Sequence, residues 1–380
     1  MSQNKDIFGF YRVGDFRCYS KLEAIETHIK TGIHPHWDFN EAVYSSYDWT
    51  REPQESLPEL YRQRAQQIRD KYDYLVLQYS GGADSSNILD TFINNNIKID
   101  ELLCFSNYEV TGNKDNWLNS EIFKVAIPRA EELKAKYPWM KIRMFDLGQS
   151  TIENFDQIDI VHSINYDLNI GKSPHNIGRF DLRKKIKDWA ELITAGKSVA
   201  MIHGMDKPRV ALKNNKFVFY FLDLLDTAIS PRQQQLNAPG EFDELFYWSP
   251  DAPKIPIKQA HIIMNYLKLA TTQTKFMSFE RSDLAYKELR NGKRLWLSMD
   301  GIHSLIYPSW NIATFTVGKT PSIIFSKRDD WFLKEQDERV KTFYQAVNRF
   351  FANLPDYWKN NPKDISRGIK LSISKEYNLE

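Results

Sequence analysis

Within seven residues, Ser80-Gly81-Gly82-Ala83-Asp84-Ser85-Ser86 gathers two adjacent glycines, a carboxylate and three hydroxyls, directly behind the apolar run Tyr74–Tyr79. Ile88, Leu89, Phe92 and Ile93 then follow at helical spacing, so a helix is expected to begin near Asp84 or Ser85. The start of a helix offers unpaired N–H groups and the positive end of its dipole, which together favour an anion. Gly81 and Gly82 let the backbone turn tightly and let a bulky anion approach without meeting a Cβ. Ser80, Ser85 and Ser86 add hydroxyl donors, and Asp84 is a candidate ligand for a Mg2+ that bridges phosphate oxygens. The pattern is no Walker A loop, because G-x-x-x-x-G-K-[ST] is absent and the turn carries no lysine; G-x-G-x-x-G is absent too. The plain alternative is a glycine turn capped by Asp84 or Ser85.

A second candidate is His203 to Val210, "HGMDKPRV", after the apolar run "SVAMI". Asp206 is a further candidate Mg2+ ligand. Lys207 or Arg209 could neutralise charge that builds on a phosphate under attack, Lys207 being the stronger candidate. The other reading of this segment is a polar turn closed by Pro208. Ser106 to Glu121 forms a long polar loop of the kind that covers or selects substrates. In it Asn119 and Glu121 stand where capping a helix is an equal reading. Arg179 precedes a helical pattern and could meet a carboxylate or phosphate, or simply face solvent. His34 and His36 make an H-x-H pair with no third ligand suggested nearby, which favours a loop role over a metal. Trp248 follows the stretch "SPRQQQLNAPGEFDE" and could stack a base, although aromatic rings more often sit in cores.

The elements that must position these residues alternate. The apolar runs "YLVLQY", "ELLCF", "KIRMFDL" and "SVAMIHG" are separated by helical patterns at Ser85–Asn94, Leu118–Lys136 and Asp181–Ala195. Such alternation predicts an α/β fold, a parallel sheet with helices on both faces, whose ligands bind outside the carboxyl ends of the strands. The division expected is a small N-terminal α+β cap over residues 1–70, the sheet domain over 71–220, and a mainly helical part over 221–380 that closes the substrate site. In the cap, "DIFGFYRVGDFRCYS" reads as a strand pair, "KLEAIETHIK" as a helix, and "SLPELYRQRAQQIRDKYD" as a helix capped by Ser56. In the last part "IPIKQAHIIMNYLKLA" and "KTFYQAVNRFFANL" read as helices. Between them "IHSLIYPSWNIATFTVGKTPSIIFSKRDDWF" reads as strands and turns.

Ser80-Gly81-Gly82-Ala83-Asp84-Ser85 resembles the S-G-G-x-D-S signature of the PP-loop ATP pyrophosphatases, the adenine nucleotide alpha hydrolase-like proteins. The resemblance covers Tyr74 to about Gly204, and the composition of the chain is similar to PP-loop proteins of large tailed phages. It implies ATP as substrate, with Ser80, Gly82, Asp84 and Ser85 gripping the leaving pyrophosphate together with Mg2+. It further implies that Cys104-Phe105-Ser106-Asn107 flanks the adenine. In that family a substrate oxygen takes AMP at the α-phosphorus, and a nitrogen or sulfur nucleophile then displaces it. Ser2 stands where the glutamine-dependent members carry their glutaminase cysteine. The cysteine clusters of several thiolases and the C-terminal cysteine of the sulfonucleotide reductases are also missing. The expectation is therefore an adenylating enzyme using ammonia or an amine. The alternatives are a sulfur-transfer enzyme fed by a partner and a nucleotide-binding protein without turnover.

The totals set the outer limits. With 51 basic and 49 acidic residues, the net charge of +2 gives no electrostatic footprint for nucleic acid or a membrane surface. The basic run Arg183-Lys184-Lys185 with Lys187 reads as a solvated helix face. Two cysteines, Cys18 and Cys104, exclude a disulfide scaffold, a zinc ribbon and an iron–sulfur cluster. No apolar stretch suits a signal peptide or a bilayer span, so a cytoplasmic setting is expected. The expected partners are ATP and a small-molecule or nucleotide acceptor, and a further copy of the chain is compatible with the sequence.

Overall fold

The computed structural model describes residues 5–19, 21–116, 118–157, 178–179, 182–205, 207–213, 215–221, 239–269, 285–288, 294–296, 299–310 and 374–380. The N-terminal part holds three short strands, β1 (Phe10–Val13), β2 (Phe16–Cys18) and β3 (His36–Asp38), in an antiparallel sheet of order β2-β1-β3. Helix α1 (Lys21–Thr31) links the last two strands, and α2 (Glu41–Tyr44) follows. The expected strand pair and helix are both present. Helix α3 (Leu57–Lys71) begins at Ser56, whose hydroxyl accepts the Glu59 N–H at 3.4 Å.

The central sheet is built from β4 (Tyr74–Gln78), β5 (Glu101–Ser106), β6 (Lys141–Asp146), β7 (Val199–His203) and, after β8 (Arg209–Lys213) and β9 (Lys216–Tyr220), β10 (Glu241–Leu245). Its order is β10-β7-β4-β5-β6 with every neighbouring pair parallel. Strand β4 lies in the middle, in register with both neighbours: Leu77 stands opposite Leu102 on one side and Ile202 on the other. Leu75, Leu77, Leu102 and Ile202 face one core, and Val76, Leu103, Val199 and Met201 face another. Burial on both faces explains why these strands are continuously apolar instead of alternating. The first core is shared with α3, with α4 (Ala83–Asn94) and, beyond the short α5 (Tyr108–Thr111), with α6 (Ile127–Lys136), which a single π turn, Ile122–Ala126, precedes. The second is closed by Leu182, Ile186 and Trp189, from α8 (Leu182–Lys185), α9 (Lys187–Thr194) and the break between them; α7 (Leu147–Gln157) precedes these. The fold is thus α/β and Rossmann-like.

Two sequence expectations need correcting. The fifth strand of the central sheet, β10, comes from residues 241–245, beyond the limit expected at residue 220. In "EFDEL" the acidic Asp243 and Glu244 interrupt the apolar pattern, which hides the strand. In the fold both carboxylates are buried and paired, Asp243 with His203 and Glu244 with Arg64. Second, the start of the segment read as strands, Ile302–Ile306, lies in a helix, α11 (Met299–Ile306), which follows α10 (Lys254–Leu269). The helix "KTFYQAVNRFFANL" lies outside the described residues.

Strands β8 and β9 enter a second, mixed sheet with β11 (Ala285–Glu288), β12 (Arg294–Trp296) and β13 (Tyr377–Asn378), in the order β12-β11-β8-β9-β13. Aromatic contacts join it to the N-terminal part: Trp49 stacks on Phe219 and Tyr377, and Phe39 meets Phe221 and Trp248. No helix among the described residues is long and apolar enough to cross a membrane.

Candidate functional site

The chain winds from β4 through β5 to β6, then crosses to place β7 and β10 on the other side of β4. The order reverses at the carboxyl ends of β4 and β7, the place where open α/β sheets take their ligands. The Ser80–Gly82 loop and the segment after His203 both end there.

Gly82 occupies the N-cap of the twelve-residue α4 with φ −72° and ψ 167°, and no side chain caps the helix. The alternative reading, a turn capped by Asp84 or Ser85, is therefore not what the structure has. Their positions lie inside the first turn. Ser85 Oγ donates to Gly82 O at 3.2 Å and accepts the Ser80 N–H at 3.3 Å. Ser80 Oγ accepts the Gly82 N–H at 3.3 Å, and Ser86 Oγ donates to Gly81 O at 3.2 Å. These bonds are long, hence weak, and suited to exchange for a stronger acceptor. Gly81 has φ +78°, a left-handed conformation. A Cβ there would also stand 3.0 Å from Ala126 N and 3.1 Å from Val125 Cγ1, so the π turn seats against bare backbone.

Asp84 receives donors from three directions. Lys207 Nζ donates to Oδ2 at 2.5 Å, Tyr307 OH donates to Oδ1 at 2.5 Å, and Tyr247 OH donates to the backbone oxygen at 2.9 Å. The Lys207 and Asp84 side chains are only 10% and 14% exposed, so solvent screens their attraction little. Gly204 lets the lysine segment approach: a Cβ there would lie 3.2 Å from Asp84 Cβ. Burial, and then the Asp84 charge, hold the Tyr307 phenol well above its usual pKa; burial, then Tyr61 and Asp84, do the same for Tyr247. Both remain neutral donors. With an ammonium and a phenol facing its oxygens, Asp84 does not fit a resident metal ion. Among the described residues no group of three or more His, Cys, Asp or Glu could hold one. Asp206 lies outside the described residues.

At the end of β5, Ser106 Oγ donates to Asp146 Oδ2 at 2.9 Å, and the Phe105 ring carries the Arg179 guanidinium at 4.8 Å from its centroid. Asn107 Oδ1 is buried without a hydrogen-bond partner. Asn119 is no cap: its Oδ1 accepts the Asn107 N–H and its Nδ2 donates to Thr111 Oγ1 and Asn113 O, which closes the loop after β5. Glu121 precedes the π turn and bonds no capping N–H with its side chain.

Other candidates resolve structurally. Arg209 is buried in β8. His36 sits in β3 beside Glu41 at 2.6 Å, and His34 stacks on His28. Lys185, expected on a solvated face, donates to Ser150 and Glu153. Trp248 is wholly buried, its ring against Phe39 and Phe221, and cannot stack a base. Its neighbour Tyr247, which carries no local motif, is the one that reaches the loop. Tyr307 likewise carries no local signal, since it lies 223 residues from Asp84 in sequence. A third unheralded group joins three strands: His203 Nε2 lies 2.6 Å from Asp243 Oδ1 and its Nδ1 lies 3.1 Å from Gln78 Oε1.

No protein-family model matches the chain, and no curated protein is significantly similar to it.

Proposed function

We propose that the protein binds ATP at the loop after β4 and cleaves it between the α- and β-phosphates, giving AMP and pyrophosphate. The observation that carries this reading is the buried Lys207–Asp84 pair, set beside a glycine loop at the point where the strand order reverses. A substrate oxygen forms a bond to the α-phosphorus while the bond to the bridging oxygen of the β-phosphate breaks, and pyrophosphate leaves with that electron pair. The charge it carries away falls where the first N–H groups of α4 and the Lys207 ammonium are held in advance. The adenylated oxygen then leaves as AMP when ammonia or an amine attacks the carbon that bears it. Mg2+ comes to this reaction on the phosphate oxygens of the nucleotide. The end of β5, with Phe105 and Ser106, suits the base and sugar.

Sulfur transfer by the chain's own thiols is disfavoured. Cys18 and Cys104 are both free and buried, and burial pushes Cys104 up to about 12, so neither offers a thiolate. Sulfur would have to come from a partner.

The test is product analysis with ATP, Mg2+, ammonia and a panel of carboxylate, amide and nucleobase acceptors. AMP and pyrophosphate in equal amounts are expected. ADP and phosphate as the main products would overturn the reading, as would ATP-induced thermal stabilisation without turnover by any acceptor.

A further inference from the structure

The loop after β4, the segment after β7, the segment after β10 and the residue that follows α11 meet at Asp84. We propose that Asp84 acts as a positioning residue for Lys207, not as a metal ligand, and that Tyr307 and Tyr247 hold it for that task. Lys207 is then the protein's own cation for a pyrophosphate-class anion. This inference rests on the reading that the loop takes phosphates.

Three observations carry it. The Lys207–Asp84 contact is short and shielded, as charge-assisted bonds are when they fix geometry. A divalent cation on the same carboxylate would stand close to that ammonium, with little water between the like charges. The remaining carboxylate oxygen accepts a phenol that is itself anchored by the fold. Tyr307 follows α11 directly, its ring lies 5.4 Å from that of Tyr247, and Tyr61 OH donates to Ile306 O at 2.8 Å. Finally, the Asp84 backbone is pinned apart from its side chain. Tyr247 OH donates to the Asp84 carbonyl and accepts from Asn87 Nδ2 at 2.9 Å. Backbone, one carboxylate oxygen and then the other are held in turn, and the last holds Lys207.

The two roles for Asp84 separate in the absence of metal. Inorganic pyrophosphate is titrated into wild type, Asp84→Asn, Lys207→Met, the double variant and Tyr307→Phe, in EDTA and again in Mg2+, with binding read by calorimetry. The expectation is that wild type binds pyrophosphate in EDTA and that each single change at 84 or 207 weakens this by about tenfold or more, the scale of a lost charge-assisted bond. The double variant should be no weaker than the poorer single one, because the two residues act as a unit. Tyr307→Phe should weaken binding several-fold in the same direction. Asp84→Glu, which keeps the charge, should recover part of the loss.

Asp84→Asn with wild-type or tighter binding in EDTA, and a defect only in Mg2+, would overturn the proposal and restore a metal role. Wild-type binding that requires Mg2+ would also overturn it, because Lys207 would not then serve as the cation. No pyrophosphate binding by wild type in either condition would instead remove the phosphate reading itself, a different and recognisable result. Should Asp84→Asn fail to fold by circular dichroism, Lys207→Met with Tyr307→Phe decides the same question. A purely structural role for Tyr307 would lower the melting temperature and leave pyrophosphate affinity in EDTA unchanged.

Discussion

Ser85 and Gly81 show how differently two small residues of one loop serve it. Ser85 Oγ is bonded to the loop on both sides, but only at 3.2 and 3.3 Å. Ser85→Ala should therefore cost about 1 kcal/mol of stability, the worth of an ordinary hydrogen bond. It should cost the proposed reaction more, about a hundredfold in turnover, the scale for one lost donor to developing charge. Thermal melting with and without Mg-ATP, alongside turnover, checks both. A mutant that melts slightly earlier and keeps its full ATP-induced shift would return the hydroxyl to a structural role. Gly81→Ala should act through the backbone of the loop instead. It demands a positive φ of a residue with a Cβ and drives that Cβ to 3.0 Å from Ala126 N. A loss of about 1–3 kcal/mol in denaturant unfolding is expected, with loss of nucleotide binding as the loop moves off the π turn. The cysteines give the third residue-scale expectation. Cys104 is buried and pushed up to about 12 by desolvation, so a thiol reagent should react with it only after unfolding. Rapid labelling of Cys104 in the native protein would contradict its placement.

At the scale of elements, the site depends on how α3 and β10 are tied together, because β10 leads directly to Tyr247. Arg64 of α3, buried, donates to Glu244 Oε2 at 2.6 Å and to Leu245 O at 2.8 Å. Lys71 and Tyr72 donate to the other oxygen of Glu244. Burial alone would raise the Glu244 pKa, but Arg64, Lys71 and Tyr72 outweigh it and hold the carboxyl below its usual value. Glu244→Gln would leave Arg64 buried without its counter-charge, a change that costs about 3–5 kcal/mol. Urea unfolding of this variant should show it, and a loss within experimental error would mean that solvent reaches the pair. The sign of the pH effect follows from the depressed value. The contribution of Glu244 is present above the pH where an unfolded glutamate ionises, and is lost as the pH falls through its lower folded value.

Across the whole molecule, aromatic packing decides which parts of the chain act together. Trp49 and Phe39 from the N-terminal part, Phe219 and Phe221 near the end of the second sheet, and Tyr377 from the C-terminal residues share one core with Trp248. This core also holds Tyr247 and Tyr307, so the residues that grip Asp84 are fixed by contacts far from the loop. The burial of so many phenols has a global consequence. Desolvation pushes Tyr79 up to about 12, and Cys104 likewise, while Tyr247 and Tyr307 stand well above the usual value. In the unfolded chain these groups ionise from about pH 9 to 10. The unfolded state thus releases protons first, and stability that is complete below pH 9 should fall as the pH rises towards 12. Urea midpoints measured at successive pH values from 8 to 11 should decline; constant midpoints would contradict the burial of these groups.

The α/β class and four of the five strands of the central sheet were legible in the sequence. The reason is local: a strand covered on both faces must be apolar throughout, and Tyr74–Gln78 and Val199–His203 advertise this in five residues each. The loop was legible for the same reason, since glycines, hydroxyls and the following helix are neighbours in the chain. Lys207 could be suspected from its place after a strand. The fifth strand, β10, was not legible, because Asp243 and Glu244 look like surface residues until His203 and Arg64 are brought to them. Nor were Tyr247 and Tyr307, which no spacing links to Asp84, nor the partner of Asp84 itself. A carboxylate in a glycine loop reads as a metal ligand when the sequence is the only witness. Only the folded chain brings an ammonium and a phenol to its two oxygens across more than 100 residues, because those groups meet Asp84 through packing that no local pattern encodes.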